Sequence, residues 1–493
     1  MQLKTLLDAT PIRQVVGPLD RQVENIAYDS RRVQRHTMFV ALRGEKSDGH
    51  QFIGQAIDKG ASVIVAEREE QDPRVTCLVV ENTRTALADF AATFYGYPAR
   101  KLKLTAVTGT NGKTTTTFLI KHICESAGLR CGLIGTVRYE IGQRLLPAIR
   151  TTPESLDLQE LLGQIANAGC KAAAMEISSH ALAQDRTRGL EWNVAVFTNL
   201  TQDHLDFHGT MENYFNAKMK LFTALAEQQR KRKPVAIVNI DDRYGQQLLG
   251  KIDKRIAVVT YGMGSRADFR ASNYRAEFTG TSYQLDAHGK SYLVRLPLIG
   301  RFNVTNSMAA LAAANALEIS LRTAVFSLAK SPQVPGRLEV VPAKRQFQVF
   351  VDYAHTPDAL ANVLKTLREL EPQRLIAVFG CGGDRDRQKR PLMAEMADRL
   401  ADYSIITSDN PRKENPDAII DEIEKGFRTN HYEKIVDRTK AIDHAIVIAR
   451  PRDIVLIAGK GHENYQEFGD YTIPFDDIQV ARRAIENHPV EFR

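Results

Sequence analysis

The sequence predicts a chain of three α/β domains, and two features of its 493 residues carry that prediction. Short runs rich in valine, isoleucine and alanine alternate with stretches of helical pattern along most of the chain. This alternation is typical of parallel sheets covered by helices. Proline-containing segments interrupt it at Pro98 and at PQVPGR, residues 332–337. We therefore expect domains at residues 1–98, 99–334 and 335–493.

The predicted strands are short apolar runs, each followed by a loop and a helical pattern. In the first domain they are SVIVAE (62–67) and CLVVE (77–81), and the helical stretch ALADFAATFYG follows. In the second they are LTAV (104–107), AAAMEI (172–177), VAVFTNL (194–200) and VAIVNI (235–240). In the third they are FQVFVDY (347–353), LIAVFG (375–380), YSIIT (403–407) and DIVLIAG (453–459).

Composition excludes several classes of protein. The N-terminus MQLKTLLDATPIRQ lacks a secretory pattern, and no apolar run approaches the ~20 residues of a membrane helix, so we expect a cytoplasmic protein. The net charge is +7, but lysines and arginines are dispersed among acids, which argues against nucleic-acid binding. The cysteines are scattered without a C-x-x-C pair, which predicts buried or idle thiols without a catalytic role: Cys77, Cys124, Cys131, Cys170 and Cys381.

The stretch VTGTNGKTTTT, residues 107–117, predicts a phosphate-binding loop. The general pattern G-x-x-x-x-G-K-[ST] would place its first glycine at position 107, where this chain has Val107, with Gly109 two residues later. Gly109 and Gly112 allow the backbone to approach phosphate oxygens, and the helix that follows directs its first N–H groups at them. Lys113 would neutralise phosphate charge and the Thr114 hydroxyl would hold Mg²⁺.

Acids and histidines follow two further strands of the second domain. Glu176 closes AAAMEI, and TNLTQDHLDFHGT carries Asp203, His204, Asp206 and His208. Glu176 with Thr114 would suit Mg²⁺, which prefers oxygen ligands, and His204 could be an additional ligand. The spacing is equally compatible with a Glu176 that caps the next helix and a His204 that only donates a hydrogen bond.

Four loops of the third domain follow predicted strands and mix glycine or proline with charged side chains, as substrate-binding loops do. They are DYAHTP (352–357), CGGDRD (381–386), SDNPRKENP (408–416) and AGKGHENY (458–465). Ligands of open parallel sheets bind beyond the carboxyl ends of the strands, so we expect these loops to share one edge.

With these motifs the chain resembles the Mur ligases, the ATP-dependent amide-bond ligases of bacterial cell-wall precursor synthesis, over essentially its whole length. The motifs are TGTNGKTTT, MEISSHAL, FTNLTQDHLDFHGTMENYFNAK, LIGRFNVTN, GRLE, DYAHTPD, FGCGGDRD, DNPR and GKGHE. The family's loop is T-G-T-N-G-K-T, so Val107 is a strand residue before a shorter glycine turn. The resemblance implies a small N-terminal uridine-nucleotide domain, a central P-loop-type ATPase domain and a C-terminal Rossmann-like domain.

The implied reaction joins UDP-MurNAc-L-Ala-D-Glu to an amino acid at the expense of ATP, through an acyl phosphate on the D-Glu side chain. The resemblance implies that Lys113, Glu176, His204 and Lys218 act in catalysis, and that Thr114, Glu176, His204 and carbamylated Lys218 hold Mg²⁺. A CO₂-derived carbamate would turn the lysine into an anion. Without the motif, Lys218 would be an ordinary solvated helix lysine.

The resemblance also assigns the substrate contacts. ATP would be bound by Gly109, Thr110, Asn111, Gly112, Lys113, Thr114, Thr115, Asn303, Asn306, Arg337 and Asp352. The UDP-MurNAc-dipeptide would be bound by Tyr28, Ser30, Glu45, Lys46, Ser47, Thr151, Thr152, Ser178, Gln184 and Arg186. Because ATP contacts fall in two predicted domains, domain closure would precede chemistry.

The motif DNPR indicates which amino acid is added. Meso-diaminopimelate is lysine with a second carboxylate on its far carbon, and the planar fork of Arg412 suits bidentate carboxylate binding. DNPR resembles the diaminopimelate-adding form of the family, whose pocket would comprise Arg385, Asp409, Asn410, Pro411, Arg412, Gly459 and Glu463. The alternative for Arg412 is a surface ion pair with Glu414.

Two further hypotheses stay open at this point. The chain could be a sister ligase that adds lysine or acts on folylpolyglutamates, or it could be a P-loop switch or nucleic-acid-dependent ATPase. A sister ligase would differ from a diaminopimelate-adding ligase in the amino acid that it accepts. A nucleic-acid-dependent ATPase would require clustered basic and aromatic residues. We expect a monomer that binds neither nucleic acid nor a membrane.

Overall fold

A computed structural model describes residues 1–44, 47–228, 233–343 and 345–488. The chain divides into two compact units, the first comprising Met1–Thr260 with Ala309–Leu321 and the second comprising Tyr261–Met308 with Arg322–Arg493. The predicted α/β class is confirmed, since parallel strands alternate with helices in three regions of the chain. The boundaries expected at residues 98 and 334 fall inside these two units and stay a prediction.

The first region of unit one is a five-stranded sheet in the order β1-β5-β4-β3-β2, parallel except for β1 at its edge. Its elements are β1 (Gln14–Val16), β2 (Asn25–Ala27), β3 (Thr37–Val40), α1 (Ile53–Asp58), β4 (Ala61–Ala66), β5 (Thr76–Val79) and α2 (Thr83–Phe94). Short 3₁₀ turns add Leu3–Thr5, Leu7–Ala9, Ser30–Arg32, Gly49–Phe52 and Pro98–Lys101. β4 and β5 are buried along their whole length, as their continuous apolar runs predict.

The second region of unit one has strands in the order β12-β11-β6-β10-β7-β8-β9. Its strands are β6 (Lys103–Thr108), β7 (Cys131–Ile134), β8 (Arg138–Ile141), β9 (Arg144–Pro147), β10 (Ala172–Glu176), β11 (Val194–Phe197) and β12 (Val235–Asn239). Its helices are α3 (Lys113–Ser126), α4 (Ser155–Asn167), α5 (Ser179–Ala183), α6 (Leu205–His208), α7 (Met211–Glu227) and α8 (Arg243–Leu249). Parallel pairing sets Glu176 opposite Val107 and Phe197 opposite Thr108, so the loops after β6, β10 and β11 share one edge.

Unit two begins with a part that the prediction of parallel sheets missed. Its strands are β14 (Phe269–Glu277), β15 (Gly280–Ala287) and β16 (Lys290–Leu296), which pair antiparallel, and they are preceded by β13 (Ala257–Gly262), whose first four residues belong to unit one. The helix α9 (Arg301–Ala316) follows, with its residues from Ala309 onward in unit one, and α10 (Leu321–Leu328) belongs to unit two after Leu321. Residues of β15 alternate between buried and half-buried along the strand, which is the pattern of an antiparallel strand with one covered face.

The six-stranded sheet of unit two has the order β17-β18-β22-β19-β20-β21, with an antiparallel pair only at β17. Its strands are β17 (Glu339–Val341), β18 (Gln348–Asp352), β19 (Leu375–Phe379), β20 (Tyr403–Ile406), β21 (Tyr432–Lys434) and β22 (Ile454–Ala458), with a separate hairpin of β23 (Tyr465–Phe468) and β24 (Tyr471–Pro474). The helices are α11 (Pro357–Arg368), α12 (Lys389–Leu400), α13 (Pro416–Glu424), α14 (Arg438–Ile448) and α15 (Asp477–Asn487). The four charged loops follow β18, β19, β20 and β22, at one edge as expected.

Side chains cap many of these helices. Thr356 accepts a hydrogen bond from Ala359 N at the start of α11, and Asn415 accepts from Asp417 N at the start of α13, each before a proline. Such caps stabilise a helix by about 1 kcal/mol. Helix α3 differs, because its N-cap residue is Gly112, which has no side chain to offer the first N–H groups of the helix.

All five cysteines are buried, as predicted. Within the described ranges, no helix has both the length and the apolar character needed to cross a bilayer.

Candidate active site

The phosphate loop of unit one connects β6 to α3 and requires glycine where the backbone has positive φ. Gly109 has φ 150° and Gly112 has φ 85°. A Cβ on Gly109 would lie 1.8 Å from Thr198 Oγ1, so a side chain there would displace the neighbouring segment. The turn predicted from TGTNGK is therefore present and tightly packed.

The segment after β11 holds this loop in shape. Thr110 N donates to Asn199 O (2.9 Å), and Asn111 N donates to Asn199 Oδ1 (3.0 Å). Thr198 Oγ1 donates to Asn111 O at 2.6 Å. The sequence reasoning missed Thr198 and Asn199, although their place at the end of a strand of the same sheet could have indicated them.

Two lysines meet at one backbone oxygen of the loop. Lys113 Nζ donates to Gly109 O (3.0 Å) and to Thr110 O (2.7 Å), and Lys218 Nζ donates to Gly109 O at 2.9 Å. Lys218 is 1% exposed, so the alternative of an ordinary solvated helix lysine is wrong. Burial, followed by the charge of Lys113, lowers the pKa of Lys218 well below its ordinary value.

Glu176 lies at the end of β10 and is completely buried. Its carboxylate accepts hydrogen bonds from the Thr114 hydroxyl (3.0 Å), the Thr136 hydroxyl (2.9 Å) and Thr136 N (2.8 Å). The cap of α5 is Ser178, so the alternative of a helix-capping Glu176 is wrong. Thr136 was missed, and its position just after β7 was the signal for it.

The Thr114–Glu176 pair fits a magnesium ion. Among the described residues, no Lys, Arg or His side chain forms an ion pair with Glu176, so its buried charge lacks a cationic partner. Burying an unpaired carboxylate is costly, and oxygen ligands of this kind suit Mg²⁺. The described residues contain no group of three or more His, Cys, Asp or Glu side chains that could hold a metal by themselves. Water and phosphate oxygens would therefore complete the coordination, as is usual for Mg²⁺.

His204 and His208, which follow β11, form an aromatic cluster with His180 of α5. The rings of His180 and His204 are 4.8 Å apart, and His204 Nε2 is 3.4 Å from Asp203 Oδ2. Burial, opposed by Asp203, lowers the pKa of His204 to about 4, so its imidazole is neutral at pH 7 and has a lone pair to offer. His208 is buried and shares a hydrogen bond with Ser179 Oγ (2.9 Å), which makes it a structural residue.

Several predicted dipeptide contacts lie together near Glu176. Thr152 Oγ1 donates to Glu176 O (2.8 Å), Ser178 N donates to Thr152 Oγ1 (3.0 Å), and Arg186 Nη1 donates to Thr152 O (3.1 Å). Arg186 also donates to Gln184 Oε1 at 2.6 Å. The Thr151 and Thr136 hydroxyls share a hydrogen bond of 3.0 Å, which links this group to the carboxylate.

Glu154, which the sequence reasoning missed, organises the arginines beside these residues. This buried carboxylate is 3.0 Å from Arg150 Nη1, 3.1 Å from Arg186 Nε and 3.4 Å from Arg84 Nη1. Three guanidinium groups around one carboxylate leave excess positive charge, which favours an anionic ligand.

The predicted uridine-site residues are partly described. Tyr28 donates to Asp157 Oδ2 (2.5 Å), and burial followed by this bond raises the pKa of Tyr28. Ser30 is buried and donates to Gln55 Oε1 at 2.7 Å. Ser47 is exposed, and its carbonyl accepts from Gly44 N (2.9 Å). The predicted residues Glu45 and Lys46 lie outside the described residues.

Of the nucleotide residues predicted in unit two, Asn303, Asn306 and Asp352 are buried and hydrogen-bonded, and Arg337 is half-buried. Asn303 Nδ2 donates to Ile299 O (2.8 Å), and Asn306 Nδ2 donates to Asn303 Oδ1 (3.1 Å). Asp352 accepts from Leu338 N (2.7 Å) and Ala354 N (2.8 Å), and burial raises its pKa. The Arg337 guanidinium lies 4.9 Å from the centre of the Tyr353 ring.

The predicted amino-acid pocket contains a hydrogen-bonded network around Asn410. Asn410 Nδ2 donates to Glu463 Oε2 (2.9 Å), while Lys460 Nζ donates to Asn410 Oδ1 (2.9 Å) and to Glu463 Oε2 (3.1 Å). Burial raises the pKa of Asp409, but the charges of Lys460 and Arg438 outweigh burial and hold that pKa below its ordinary value. Lys460 is completely buried and was missed, although it lies inside the motif GKGHE.

The remaining pocket residues flank this network. Gly459 N donates to Asp352 O at 3.0 Å, and Pro411 is buried in the loop after β20. Arg412 forms an ion pair with Glu467 rather than with Glu414, which pairs with the buried Arg390. The expected alternative for Arg412 is therefore wrong.

Arg385 is exposed and lies near Arg412 across a glycine. A Cβ on Gly382 would be 2.9 Å from Arg412 Nη1 and 3.8 Å from Arg385 Cγ. The Arg385 guanidinium donates a long hydrogen bond of 3.4 Å to Asp384 O. A side chain at position 382 would therefore crowd the Arg412 guanidinium, and glycine leaves that space open.

These features define a class: α/β proteins with a glycine-rich loop of the phosphate-binding type in one region and charged loops at the strand ends of a separate parallel sheet. Family models match most of the chain, namely Mur ligase family, catalytic domain (residues 22–95), Mur ligase middle domain (107–314), and Mur ligase, glutamate ligase domain (336–461). The chain belongs to the Mur ligase family.

Full-length relatives and a solved structure agree with this membership. The chain is 45% identical over 489 residues to a UDP-N-acetylmuramoyl-L-alanyl-D-glutamate--2,6-diaminopimelate ligase of Syntrophomonas wolfei, covering 98% of this chain and 99% of the relative. It is 46% identical to the protein of the same name from Geobacillus kaustophilus, covering 99% of each. A solved structure of a ligase of that name superposes with a TM-score of 0.71 at 36% identity, covering 99% of both chains.

Proposed function

We propose that this protein joins meso-diaminopimelate to the D-Glu of UDP-MurNAc-L-Ala-D-Glu, with cleavage of ATP to ADP and phosphate, in peptidoglycan precursor synthesis. The observation that carries the proposal is the full-length match to relatives that bear the name of this activity. The phosphate loop, the buried Thr114–Glu176 pair and Arg412 of the charged loops support it independently.

The chemistry explains why such a site is needed. A carboxylate is a poor acyl donor, so the γ-phosphoryl group of ATP is first transferred to the D-Glu side chain to form an acyl phosphate. The amine of the incoming amino acid then attacks the acyl carbon, and phosphate leaves. Both steps bring anions together, and catalysis consists largely of positioning and charge stabilisation.

Residues of unit one would hold the phosphates. Lys113 leaves its carbonyl partners to neutralise the transferred phosphoryl group, and the first N–H groups of α3 lie beside it. Thr114 and Glu176 would hold Mg²⁺, with neutral His204 as a further ligand, and the ion would supply positive charge that offsets the negative charge of the phosphates. Gly109, Thr110, Asn111, Gly112 and Thr115 would contact phosphate oxygens from the loop and the first turn.

Lys218 fits a carbamate. Only a neutral amine adds to CO₂, and burial beside Lys113 favours the neutral form of Lys218. The Nζ lone pair would form a bond to the carbon of CO₂ and release one proton, leaving an anion on the side chain. This anion could pair with Lys113 and help hold a second Mg²⁺, both of which a lysine cation would repel.

The acceptor substrate would lie against the residues gathered around Glu154 and Glu176. Thr151, Thr152, Ser178, Gln184 and Arg186 would bind the muramoyl-dipeptide, whose carboxylates suit the excess positive charge there. Tyr28, Ser30, Glu45, Lys46 and Ser47 would bind the uridine nucleotide. Asn303, Asn306, Arg337 and Asp352 would bind ATP from unit two.

The charged loops of unit two would select the amino acid. Arg412 and Arg385 would face its distal carboxylate, and Glu463, with Asp409 and Asn410 beside it, would face the distal ammonium. Pro411 and Gly459 would shape the wall of this pocket. We place the enzyme in the cytoplasm as a monomer, without nucleic acid or membrane as a partner.

The test is a phosphate-release assay with UDP-MurNAc-L-Ala-D-Glu, ATP and Mg²⁺, in which meso-diaminopimelate is compared with L-lysine. We expect release that depends on the dipeptide nucleotide and is much faster with meso-diaminopimelate. A preference for L-lysine would assign a sister ligase. Release that needs no amino acid but is stimulated by DNA or RNA would overturn the proposal.

A further inference from the structure

The hairpin of β23 and β24 forms hydrogen bonds to the loop that carries Arg412. Gln466 Nε2 donates to Asp409 O (2.8 Å), and Glu467 N donates to Asn410 Oδ1 (3.1 Å). Arg412 N donates to Glu467 O (3.0 Å), and Gly469 N donates to Arg412 O (2.7 Å). The loop therefore depends on the hairpin for its backbone conformation, including the left-handed φ of 50° at Arg412.

The same hairpin also holds the side chain of Arg412. Its Nε lies 2.9 Å from Glu467 Oε2, and its Nη1 donates to Gly383 O at 2.9 Å. These two contacts, together with the covalent bond from Nε to Cδ, restrict the orientation of the planar guanidinium.

This arrangement leaves one part of the guanidinium available to a ligand. Arg412 has five N–H groups, of which the Nε–H faces Glu467 and one Nη1–H bonds Gly383 O. The three others, on Nη1 and Nη2, meet no acceptor within the described ranges. A pair of such N–H groups binds a carboxylate bidentately.

The pair with Glu467 acts through geometry more than through stability. The side chains of Arg412 and Glu467 are 18% and 34% exposed, and partly solvated ion pairs contribute little to the free energy of folding. Its contribution is to hold a long, flexible side chain in one conformation before the ligand arrives, which lowers the entropy cost of binding.

From these contacts we infer that Glu467 is a positioning residue that orients Arg412 toward the distal carboxylate of the amino-acid substrate. The hairpin Tyr465–Pro474 is then the element that sets the preference for a diamino diacid. This inference rests on the proposed function, because it takes Arg412 as the carboxylate contact.

The test compares Glu467→Ala, Glu467→Gln, Arg412→Ala and the double variant Glu467→Ala/Arg412→Ala by phosphate release at varied meso-diaminopimelate. Asp470→Asn is the matched control, since it removes an acid from the turn of the same hairpin. No side-chain hydrogen bond or ion pair joins Asp470 to the described residues.

We expect Glu467→Ala to raise KM for meso-diaminopimelate roughly tenfold, with kcat and KM for ATP nearly unchanged. Glu467→Gln keeps an oxygen acceptor and should stay close to wild type, as should Asp470→Asn. In the double variant, Glu467→Ala should add nothing to the effect of Arg412→Ala, because it acts only through that arginine.

Three results would overturn the inference: an unchanged or lowered KM in Glu467→Ala, no rescue by Gln, or additive effects in the double variant. Wild-type protein that releases no phosphate with meso-diaminopimelate would instead overturn the proposed function, and this inference with it. Unchanged thermal unfolding midpoints exclude misfolding as the cause of a raised KM.

Discussion

Lys113 and Lys218 donate to the same backbone oxygen, that of Gly109, at 3.0 and 2.9 Å. Two ammonium groups at one carbonyl repel each other, and one of them is completely enclosed. The arrangement favours a neutral or chemically modified Lys218, and it keeps Lys113 beside the phosphate loop.

Replacing Lys218 by alanine should lower kcat by about 100-fold or more, because the buried anion proposed there is lost. Short carboxylates added to the assay should restore part of the activity by occupying the vacated space. Lys220→Ala is the control, since Lys220 lies on the same helix with a half-exposed side chain. Full activity in Lys218→Ala, measured as phosphate release, would exclude the carbamate.

Glu176→Gln should raise the Mg²⁺ concentration for half-maximal activity by roughly 10–100-fold, because an amide keeps the shape but loses the charge. The measurement is a Mg²⁺ titration at saturating substrates. Glu125→Gln, at the far end of α3, should leave the titration unchanged. The same Mg²⁺ dependence in Glu176→Gln and wild type would remove Glu176 from the metal site.

Arg412→Ala should raise KM for meso-diaminopimelate far more than KM for ATP, at a cost of roughly 2–4 kcal/mol in binding. The reason is that the distal carboxylate loses its bidentate partner while other groups of the substrate stay bound. Lys413→Ala removes an exposed neighbouring cation and serves as the control. Unchanged diaminopimelate kinetics in Arg412→Ala would refute the assignment of the amino acid.

His208 should make the fold sensitive to mild acid. Burial is the main cause that lowers the pKa of His208 to about 4. An unfolded histidine binds its proton near pH 6.5, so between these values the unfolded state binds more protons. Stability is therefore fully present above about pH 6.5 and falls as the pH is lowered toward 4.

Thermal unfolding measured between about pH 7 and pH 5 tests whether His208 makes stability depend on pH. Between about pH 7 and pH 5 the contribution of His208 is about 2 kcal/mol, so His208→Gln should lose stability less steeply than wild type. His204 shifts in the same direction, which leaves part of the slope in the variant. The exposed His431, changed to glutamine, should keep the wild-type slope. Identical slopes for His208→Gln and wild type would contradict the assignment.

Much of the fold could be predicted from the sequence because its buried parallel strands are continuous apolar runs. AAAMEI and LIAVFG are examples, and each became a buried strand. The antiparallel strands β14 to β16 were not predicted, since their alternating pattern is interrupted by polar and glycine residues and no turn marked them strongly. The polar residues at the strand ends could also be predicted, because each one directly follows a continuous apolar run.

The sequence by itself determined the α/β class, the phosphate loop and the family, since these depend on local spacing and on motifs read along one chain. Only the tertiary structure decided that Glu154 gathers three arginines, that Lys218 is buried beside Lys113 and that Glu467 holds Arg412. Apart from the pair of Arg150 and Glu154, which are four residues apart, each of these pairings joins residues whose positions along the chain predict no contact. Burial and the distance between charges, which set pKa and orientation, exist only once the elements have packed.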